Sequence, residues 1–448
     1  MKIIKRIASL GLNFLFFCLI SCQKNIENLG PATKGDFEIL QSSPYQFTLK
    51  NTTAKPTISR WRIPNLGKTF EGDTVSVYIG SSGTYDVILY PTSKGGIDSV
   101  VKQIEVIEND PELYNKESSI VVSGWYNDGW NQTSHQVYLN NDKLFSEVNP
   151  YWYNLGTDSQ EPGNSVADGS IYERPYVFNA QQIAQVRSRG DLMIPTIGDM
   201  SRNQINEILA SEASQENLIN NLTQKALYRN YDGWDLNFEH ANEIDKDKFS
   251  AFVKKLGKAL KNNHKILDVT IGGIPNELEE SYWIFDYNAL NIPEVRYIKI
   301  MAYDQYLRGT PNLNPVSEYS WVINILDYAI HTRNVPPKKI ILGIANYGWS
   351  FKYNSDEGQI IRPFTPWEEY MSKPGFQSWY QDWCDELYGE WFENDVYHAA
   401  FFNNAESVNK RINLVNLYGL AGVCFWVLGK EDPAIYSTKI PVTLPGSR

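Results

Sequence analysis

The chain has 448 residues, too many for one ordinary compact domain, and this length fits a small module followed by a barrel-sized domain. Hydrophobic residues make up 42% of the sequence and aromatic residues 13%, so we expect packed cores together with exposed aromatic surfaces. The net charge is -11 and no long basic run occurs. Nucleic acid is therefore excluded as a partner, because its binding depends on clustered Lys and Arg.

The first 22 residues are predicted to be an export signal. Basic residues precede an apolar run over residues 7–20, which is long enough for a signal peptide but short for a membrane span. The run ends in LISC, residues 19–22, which resembles the bacterial lipobox and implies that Cys22 is lipidated. An ordinary signal peptide with a chance cysteine is the alternative. We expect an exported protein that is anchored to the lipid bilayer of a bacterial cell envelope, at the outer membrane or cell surface.

A tether over residues 23–35 precedes a β-rich stretch over residues 36–108. Three of its segments alternate apolar and polar residues between glycines: TVSVYI (74–79), TYDVILY (84–90) and VVKQIEVIE (100–108). This pattern predicts a small antiparallel sandwich. GTYDVILYPTSKGG resembles the Ig-like domains of the polycystic-kidney-disease type, although their aspartate-rich signature is reduced here to SRWRIPNLGK. The resemblance implies a rigid spacer without a ligand of its own.

Residues 118–440 alternate apolar strands with helical segments. The helix predicted over residues 245–260 carries apolar residues at the spacing of one helical face. Eight strands followed by crossovers predict a (β/α)8 TIM barrel, with a doubly wound open sheet as the alternative. Polar residues at the strand ends favour the barrel. The eight segments are SIVVSGWY, EVNPYWYNLG, DLMIPTIGDM, YDGWDLNFE, ILDVTIGG, VRYIKIMAYD, KKIILGIANYG and LAGVCFWVLG.

The fourth of these strands, within YDGWDLNFEH (231–240), carries a polar face. Side chains alternate in a strand, so Asp235, Asn237 and Glu239 face the barrel interior. The alternate residues face the helices: Trp234, Leu236 and Phe238. Glu239 lies about 7 Å of backbone beyond Asn237, at the carboxyl-terminal rim where barrel enzymes hold their active sites. A functional site explains this polar row better than core packing does, and also better than a solvated hairpin strand. His240 points the other way and is assigned a structural role.

The same segment resembles the DGxDxDxE signature of glycoside hydrolase family 18. Three further segments resemble motifs of that family: MAYD (301–304), ILGIANYGWSF (341–351) and AESVNKRINLVNLYGLAGVCFWVLGKEDP (405–433). The layout is most similar to the spore-germination glycosylase branch. The resemblance covers most of residues 118–440 and implies a substrate-assisted retaining glycosidase.

In that mechanism Glu239 protonates the glycosidic oxygen, the substrate acetamido carbonyl attacks the anomeric carbon, and Glu239 then activates water. As an acid near neutral pH, Glu239 requires a raised pKa, which an aromatic pocket supplies. The resemblance implies that Tyr303 binds the acetamido oxygen and that Trp426 forms the floor beneath the sugar. The resemblance adds Asp235 and Asn237 to the catalytic set, and it assigns these residues to substrate binding: Asp232, Met301, Asp304, Trp125 and Trp349. Trp125 and Trp349 are candidates for the wall of the cleft, with packing in the core as the alternative for each.

Asn237 departs from the family, which carries a third aspartate at this position. Asparagine still accepts a hydrogen bond from the acetamido N–H but brings no charge, and charge-assisted bonds are roughly twice as strong as neutral ones. Losing such an interaction costs about 100-fold in rate. Asp235 could supply the missing charge if it lies within reach. NFE (237–239) also resembles the Asn-x-Glu pair of the endo-β-N-acetylglucosaminidases of family 85.

We therefore predict a hydrolase that cleaves β-1,4 linkages after N-acetylglucosamine in chitin or chito-oligosaccharides, without a cofactor or metal. The alternatives are an endo-β-N-acetylglucosaminidase acting on N-glycans or peptidoglycan, and a catalytically weakened, glycan-binding lipoprotein. A Trp-rich loop over residues 355–395 is expected to shape the choice of polymer. Whether Cys384 and Cys424 form a bridge or stay separate thiols is left open.

Overall fold

The computed structural model describes residues 30–43, 46–54, 58–66, 68–79, 83–106, 120–127, 133–141, 143–156, 166–174, 179–199, 204–239, 242–306, 313–354 and 358–437. They form two compact units, a smaller one that ends at Val106 and a larger one that follows it. The predicted export signal with Cys22, and His240, lie outside the described residues.

The smaller unit is all β, which confirms that part of the prediction. One sheet has the strand order β1-β2-β5, and the other has the order β4-β3-β6-β7 with β8 paired to β6. Phe37 and Trp61 join the two sheets edge to face, with ring centroids 5.1 Å apart. The strands are β1 Phe37–Ser43, β2 Gln46–Asn51, β3 Ile58–Ile63, β4 Lys68–Glu71, β5 Thr74–Tyr78, β6 Gly83–Ser93, β7 Gly96–Ile97 and β8 Val100–Val106. The similarity to domains of the polycystic-kidney-disease type stays a prediction.

The larger unit contains a closed eight-stranded parallel barrel, so the TIM-barrel prediction is confirmed. Its strand order is β10-β13-β14-β15-β16-β17-β23-β9, and β9 pairs in parallel with β10 to close the ring. That pairing excludes the open sheet. The strands of this sheet are β9 Val121–Tyr126, β10 Glu147–Leu155, β11 Ile171–Glu173, β12 Leu192–Met193, β13 Thr196–Gly198, β14 Gly233–Asn237, β15 Ile266–Gly272, β16 Ile298–Met301, β17 Ile340–Ala345 and β23 Gly422–Trp426. β12 and β13 correspond to a single predicted strand. That strand is interrupted next to Pro195, because proline has no backbone N–H to donate.

The helices of this unit cover the barrel with apolar faces. The helix predicted over residues 245–260 occupies Lys246–Lys261 and buries Phe249, Phe252 and Leu256. Asn179 and Ser211 cap two other helices by accepting hydrogen bonds from backbone N–H groups. The helices are α1 Thr133–Asn140, α2 Ala180–Ser188, α3 Gln204–Leu209, α4 Glu212–Arg229, α5 Lys246–Lys261, α6 Glu277–Ser281, α7 Tyr287–Leu290, α8 Tyr319–Asp327, α9 Trp367–Met371 and α10 Ala405–Tyr418.

A five-stranded antiparallel sheet is inserted between β17 and α10, so the prediction of a loop over residues 355–395 was wrong. Its strand order is β19-β18-β22-β21-β20. Trp391 and Phe402 on one face of this inserted sheet pack against Tyr370 of α9. Alternating side chains with one buried face are typical of a sheet that covers a core. The strands are β18 Gly348–Asn354, β19 Gly358–Thr365, β20 Gln377–Gln381, β21 Glu386–Glu393 and β22 Val396–Phe402.

A layer of paired charges fills part of the barrel interior. Lys299 Nζ lies 3.3 Å from Glu147 Oε1 and 3.2 Å from Asp268 Oδ2, while Arg296 Nη2 contacts both carboxylates. Burial lowers the pKa of Lys299, but the charges of the neighbouring carboxylates outweigh it and raise the pKa overall. The positive charges of Lys299 and Arg296 are therefore balanced by the two carboxylates inside the barrel.

Cys384 and Cys424 are both buried and free, so they form no bridge. In the part of the chain that the structure describes, no helix is long and apolar enough to cross a membrane. Among those same residues, no group of three or more His, Cys, Asp or Glu side chains is arranged to hold a metal ion.

Candidate active site

Strand β14 presents one polar and one apolar face, as its sequence predicts. On the outer face Trp234 donates from Nε1 to the carbonyl of Leu222 in α4 at 2.9 Å, and Leu236 and Phe238 are buried. On the inner face Asp235 is fully buried. The strand thus carries its polar side chains towards the interior and the mouth of the barrel.

Asp235 is held by donors from three other strands. Trp125 Nε1 and Thr196 Oγ1 donate to Asp235 Oδ2 at 2.7 and 2.8 Å, and Thr270 Oγ1 donates to Oδ1 at 2.6 Å. Both carboxylate oxygens are therefore satisfied within the barrel. Among the described residues no hydrogen bond joins Asp235 to Asn237. The Asp235 charge is thus kept in the interior by its own donors.

Asn237 and Glu239 lie side by side at the end of the same strand. Asn237 Nδ2 donates to Glu239 Oε1 at 2.9 Å, and the Glu239 backbone N–H donates to Asp199 Oδ1 at 3.1 Å. Glu239 is exposed, whereas Asn237 is half-buried. The Oδ1 atom of Asn237 is buried and accepts no hydrogen bond within the described residues. An exposed carboxyl group therefore adjoins a buried acceptor that is available to a ligand N–H.

Tyr303 and Asp304 follow β16 and lie next to this pair. Asp304 has a left-handed backbone, with φ of 58°, and accepts hydrogen bonds from Tyr347 Oη and Trp349 Nε1, both at 2.9 Å. Burial raises the pKa of Asp304 to about 7 against these two donors, and the charge of Glu239 contributes to the rise. Burial, and then the Glu239 charge, also raise the pKa of Tyr303, which keeps its hydroxyl proton available for donation.

The two tryptophans Trp426 and Trp125 differ in how far they are exposed at the site. Trp426 is half-buried and packs against the cluster that contains Met301, Tyr303 and Tyr347. Trp125 lies against Trp426 edge to face, with ring centroids 6.1 Å apart, and is only 1% exposed. Of the two alternatives for Trp125, the structure supports core packing and contradicts a cleft wall, because its ring is enclosed and its Nε1–H donates to Asp235.

Asp232 is the second correction, because it lies away from the mouth. It precedes β14, five residues before Asn237 and so about 16 Å from it along the strand. Its fully buried carboxylate accepts hydrogen bonds from Arg187 Nη1 at 2.5 Å and from the Met193 backbone N–H at 2.7 Å. This buried ion pair ties α2 to β14, so Asp232 is structural and does not bind substrate.

Three further residues belong to the site by geometry. Asp199 positions the Glu239 backbone, Tyr347 donates to Asp304, and Tyr151 lies over Gly198, where an added Cβ would be 2.2 Å from the Tyr151 hydroxyl. Burial raises the pKa of Tyr151, and the charges of Glu239 and Asp199 add to this shift. Tyr347 falls within a segment already singled out, and Asp199 is a polar residue at a strand end, so both could have been found from the sequence.

An exposed carboxyl group lies at the barrel mouth beside an amide, a tyrosine, a second carboxyl group and a half-buried tryptophan, and this arrangement is compatible with a glycosidase on a (β/α)8 scaffold. The sequence agrees with that class. Residues 123–431 match the family model described as glycosyl hydrolases family 18, and this range is most of the chain. The chain belongs to glycosyl hydrolase family 18.

Known relatives include spore-associated glycosylases and chitinases. The chain is 23% identical over 296 residues to a sporulation-specific glycosylase of Bacillus subtilis (strain 168), an alignment covering 63% of this chain and 66% of that protein, just under two thirds. It is 24% identical over 297 residues to a cortical fragment-lytic enzyme of Bacillus anthracis, covering 64% of this chain and 67% of the relative. A chitinase structure from Chromobacterium violaceum ATCC 12472 superposes with a TM-score of 0.61 at 24% identity, covering 71% of this chain and 97% of the other. That superposition shows the shared fold.

Proposed function

We propose that this protein is a retaining glycosidase that cleaves β-1,4 linkages after N-acetylglucosamine with assistance from the substrate's own acetamido group. The observation that carries the proposal is the pair at the end of β14. Glu239 is exposed as the acid, and Asn237 next to it has a buried, unpartnered Oδ1. A second carboxylate at nucleophile distance is not required, because the acetamido carbonyl forms the covalent bond to the anomeric carbon.

Each side chain then has one task. Glu239 gives its proton to the glycosidic oxygen as that bond breaks, and in the second step it takes a proton from the attacking water. The acetamido N–H donates to Asn237 Oδ1, and the Tyr303 hydroxyl donates to the acetamido carbonyl oxygen. Trp426 supports the apolar face of the sugar, and Asp304 lines the same subsite. Holding the carbonyl oxygen close to the anomeric carbon makes the attack intramolecular.

Asn237 supports a second candidate function, that of a weakened enzyme which mainly binds glycans. An amide offsets none of the positive charge that develops on the sugar. Asp235 does not take over its hydrogen bond to the substrate, because the two Asp235 oxygens already accept hydrogen bonds from Trp125, Thr196 and Thr270. The hydrolase is favoured because a protein that only binds sugar has no use for an exposed acid in this position.

We propose the substrate polymer from the chemical group that the candidate polymers share. Relatives are named as cortical fragment-lytic enzymes, and similar structures include a chitinase and the spore cortex-lytic enzyme of Bacillus megaterium QM B1551. Chitin-type oligosaccharides are our first choice of substrate, with peptidoglycan and the N-glycan core as alternatives. All three contain the acetamido sugar that the mechanism requires.

Turnover of a chromogenic chitobioside by the wild type and by Glu239→Gln tests the catalytic assignment. The amide keeps the shape of the side chain and loses the proton, so we expect no turnover while oligosaccharide binding stays measurable by calorimetry. Glu216→Gln, an exposed position on α4, is the matched control and should keep the wild-type rate. A Glu239→Gln variant with a near wild-type rate would show that another group is the acid.

Location is proposed from the sequence alone. The LISC segment supports lipidation of Cys22 and anchoring to the bacterial cell envelope, with the smaller β unit as a spacer. A tethered hydrolase of this kind would act on glycans that it meets at the envelope.

A further inference from the structure

The inserted sheet carries four aromatic side chains in register across four strands. Trp379 of β20 pairs with Tyr388 of β21, Tyr388 pairs with Phe401 of β22, and Phe401 pairs with Trp349 of β18. Side chains of directly paired residues lie on the same face of a sheet. Strands are about 4.8 Å apart, so these four residues, which we call the aromatic row, span about 14 Å.

One end of the aromatic row belongs to the active site. Trp349 donates from Nε1 to Asp304 Oδ1 at 2.9 Å and packs against the cluster that contains Tyr303. The other end is open to solvent, where Trp379 is 45% exposed and its ring stacks on Tyr388 with centroids 6.2 Å apart. The row therefore connects the catalytic residues to the surface through packed side chains, with Phe401, which is only 6% exposed, buried between its two ends.

The exposed end of the row is not needed to pack the inserted sheet. The opposite face supplies that core through Trp391, Phe402 and Tyr370. Trp379 lies on an edge strand, and Trp383, which is 59% exposed, leans edge-on against Phe401 at 6.0 Å. Large apolar rings on an open edge favour aggregation, so their presence indicates a binding surface.

Polar groups accompany the rings and indicate the class of ligand. The Tyr388 and Tyr397 hydroxyls are 2.7 Å apart, and Tyr397 donates to Glu390 Oε2 at 2.8 Å. Glu390 lies two residues from Tyr388 on β21 and on the same face of the sheet. Flat rings stack on the C–H faces of sugars, while hydroxyls and a carboxylate bond the equatorial hydroxyl groups. The acidic Glu390 also disfavours an anionic partner.

We propose that the aromatic row binds the part of a polymeric acetamido-sugar chain that extends beyond the active site, so that long chains are held more tightly than short ones. The identity of this ligand rests on the proposed function, whereas the location of the surface follows from the strand register and exposure. The ligand is a neutral glycan chain that continues from the site at Asp304 along Trp349, past the exposed Trp383 that lies against the buried Phe401, towards Trp379.

The test is a Trp379→Ala, Trp383→Ala double variant with two readouts. Binding to insoluble chitin is measured by depletion in the Glu239→Gln background, so that the polymer stays intact. Turnover of a chromogenic chitobioside is measured with Glu239 present. We expect polymer binding to weaken about tenfold or more and kcat/KM on the short substrate to stay within about twofold. Tyr282→Ala, which removes an aromatic ring that is 50% exposed elsewhere in the same unit, should change neither readout.

The outcomes separate this proposal from the proposed function. Unchanged polymer binding by the double variant, equal losses in both readouts, or no polymer binding by the parent protein would each overturn the role of the aromatic row. If the wild type fails to cleave the chitobioside but its polymer binding depends on Trp379 and Trp383, the hydrolase proposal fails and the binding surface stands. The Trp379→Phe single variant is the conservative control. It keeps an aromatic ring at this position, so it should retain most of the polymer binding that the double variant loses.

Discussion

Replacing Asn237 by Asp tests how a negative charge beside Glu239 changes the rate and the pH dependence of the site. In the wild type, Asn237 Nδ2 donates to Glu239 Oε1 at 2.9 Å. The substitution removes this donor and puts a second carboxylate at about 3 Å from Glu239. Two like charges at that distance in a water-like dielectric repel by about 1.4 kcal/mol, which equals about one pKa unit. The water-like value applies because Glu239 is exposed, and solvent screening reduces the interaction.

The sign follows from the role of Glu239 as the proton donor. A neighbouring negative charge favours the protonated acid, so the alkaline limb of the pH–rate profile should move up by about one pH unit. The same carboxylate, hydrogen-bonded to the acetamido N–H at about 3 Å, should stabilise the developing positive charge by a similar amount, or about tenfold in kcat. A profile of both forms on one N-acetylglucosamine oligomer gives both quantities. A clear loss of activity in the Asp variant across the whole pH range would refute this reasoning and favour a site rebuilt around a neutral intermediate.

Two further predictions concern residues outside the mouth of the barrel. Cys22→Ala should move the protein from the membrane fraction to the soluble fraction on cell fractionation, and retention at the wild-type level would rule out the lipobox. Asp232→Asn leaves the buried Arg187 charge without its carboxylate and should lower the free energy of unfolding in urea by about 3–5 kcal/mol, with unchanged kcat/KM for the folded protein. A selective fall in kcat/KM at unchanged stability would return Asp232 to substrate binding.

The sequence predicted the barrel because its strands and helices have distinct periodicities. The pairing of β9 with β10, which closes the ring, is a long-range contact that no local pattern contains. The inserted sheet was missed although a local signal was present. Side chains alternate between the two faces of the sheet in β21 and β22, on either side of Asn394 and Asp395. Both of these residues have a positive φ, of 54° and 61°. A two-residue turn of this kind between alternating strands is typical of a β-hairpin.

The candidate site was predicted unevenly for a related reason. Glu239, Asn237 and Tyr303 lie together at strand ends, where the segments that resemble family motifs predicted them, and their catalytic roles stay a prediction. The misassigned residues, Trp125 and Asp232, carry suitable side chains at the wrong depth. Depth depends on which partners other strands and helices supply, such as the Asp235 carboxylate for Trp125, and a one-dimensional pattern does not contain that information.

The positions of the carboxyl groups around Glu239 explain why we expect the residue at position 237 to have a large effect. Of the carboxyl groups near Glu239, Asp199 accepts a hydrogen bond from the Glu239 backbone and Asp235 is held in the interior by three donors. Burial raises the pKa of Asp304 to about 7, so near neutral pH it is only partly ionised. An aspartate at position 237 would add a carboxylate beside the Glu239 side chain, where Asn237 Nδ2 now donates to Oε1. Asparagine at this position adds no negative charge beside a developing cation, and none that would keep Glu239 protonated as the pH rises. We therefore expect the amide at position 237 to affect both the rate and the pH range of the site.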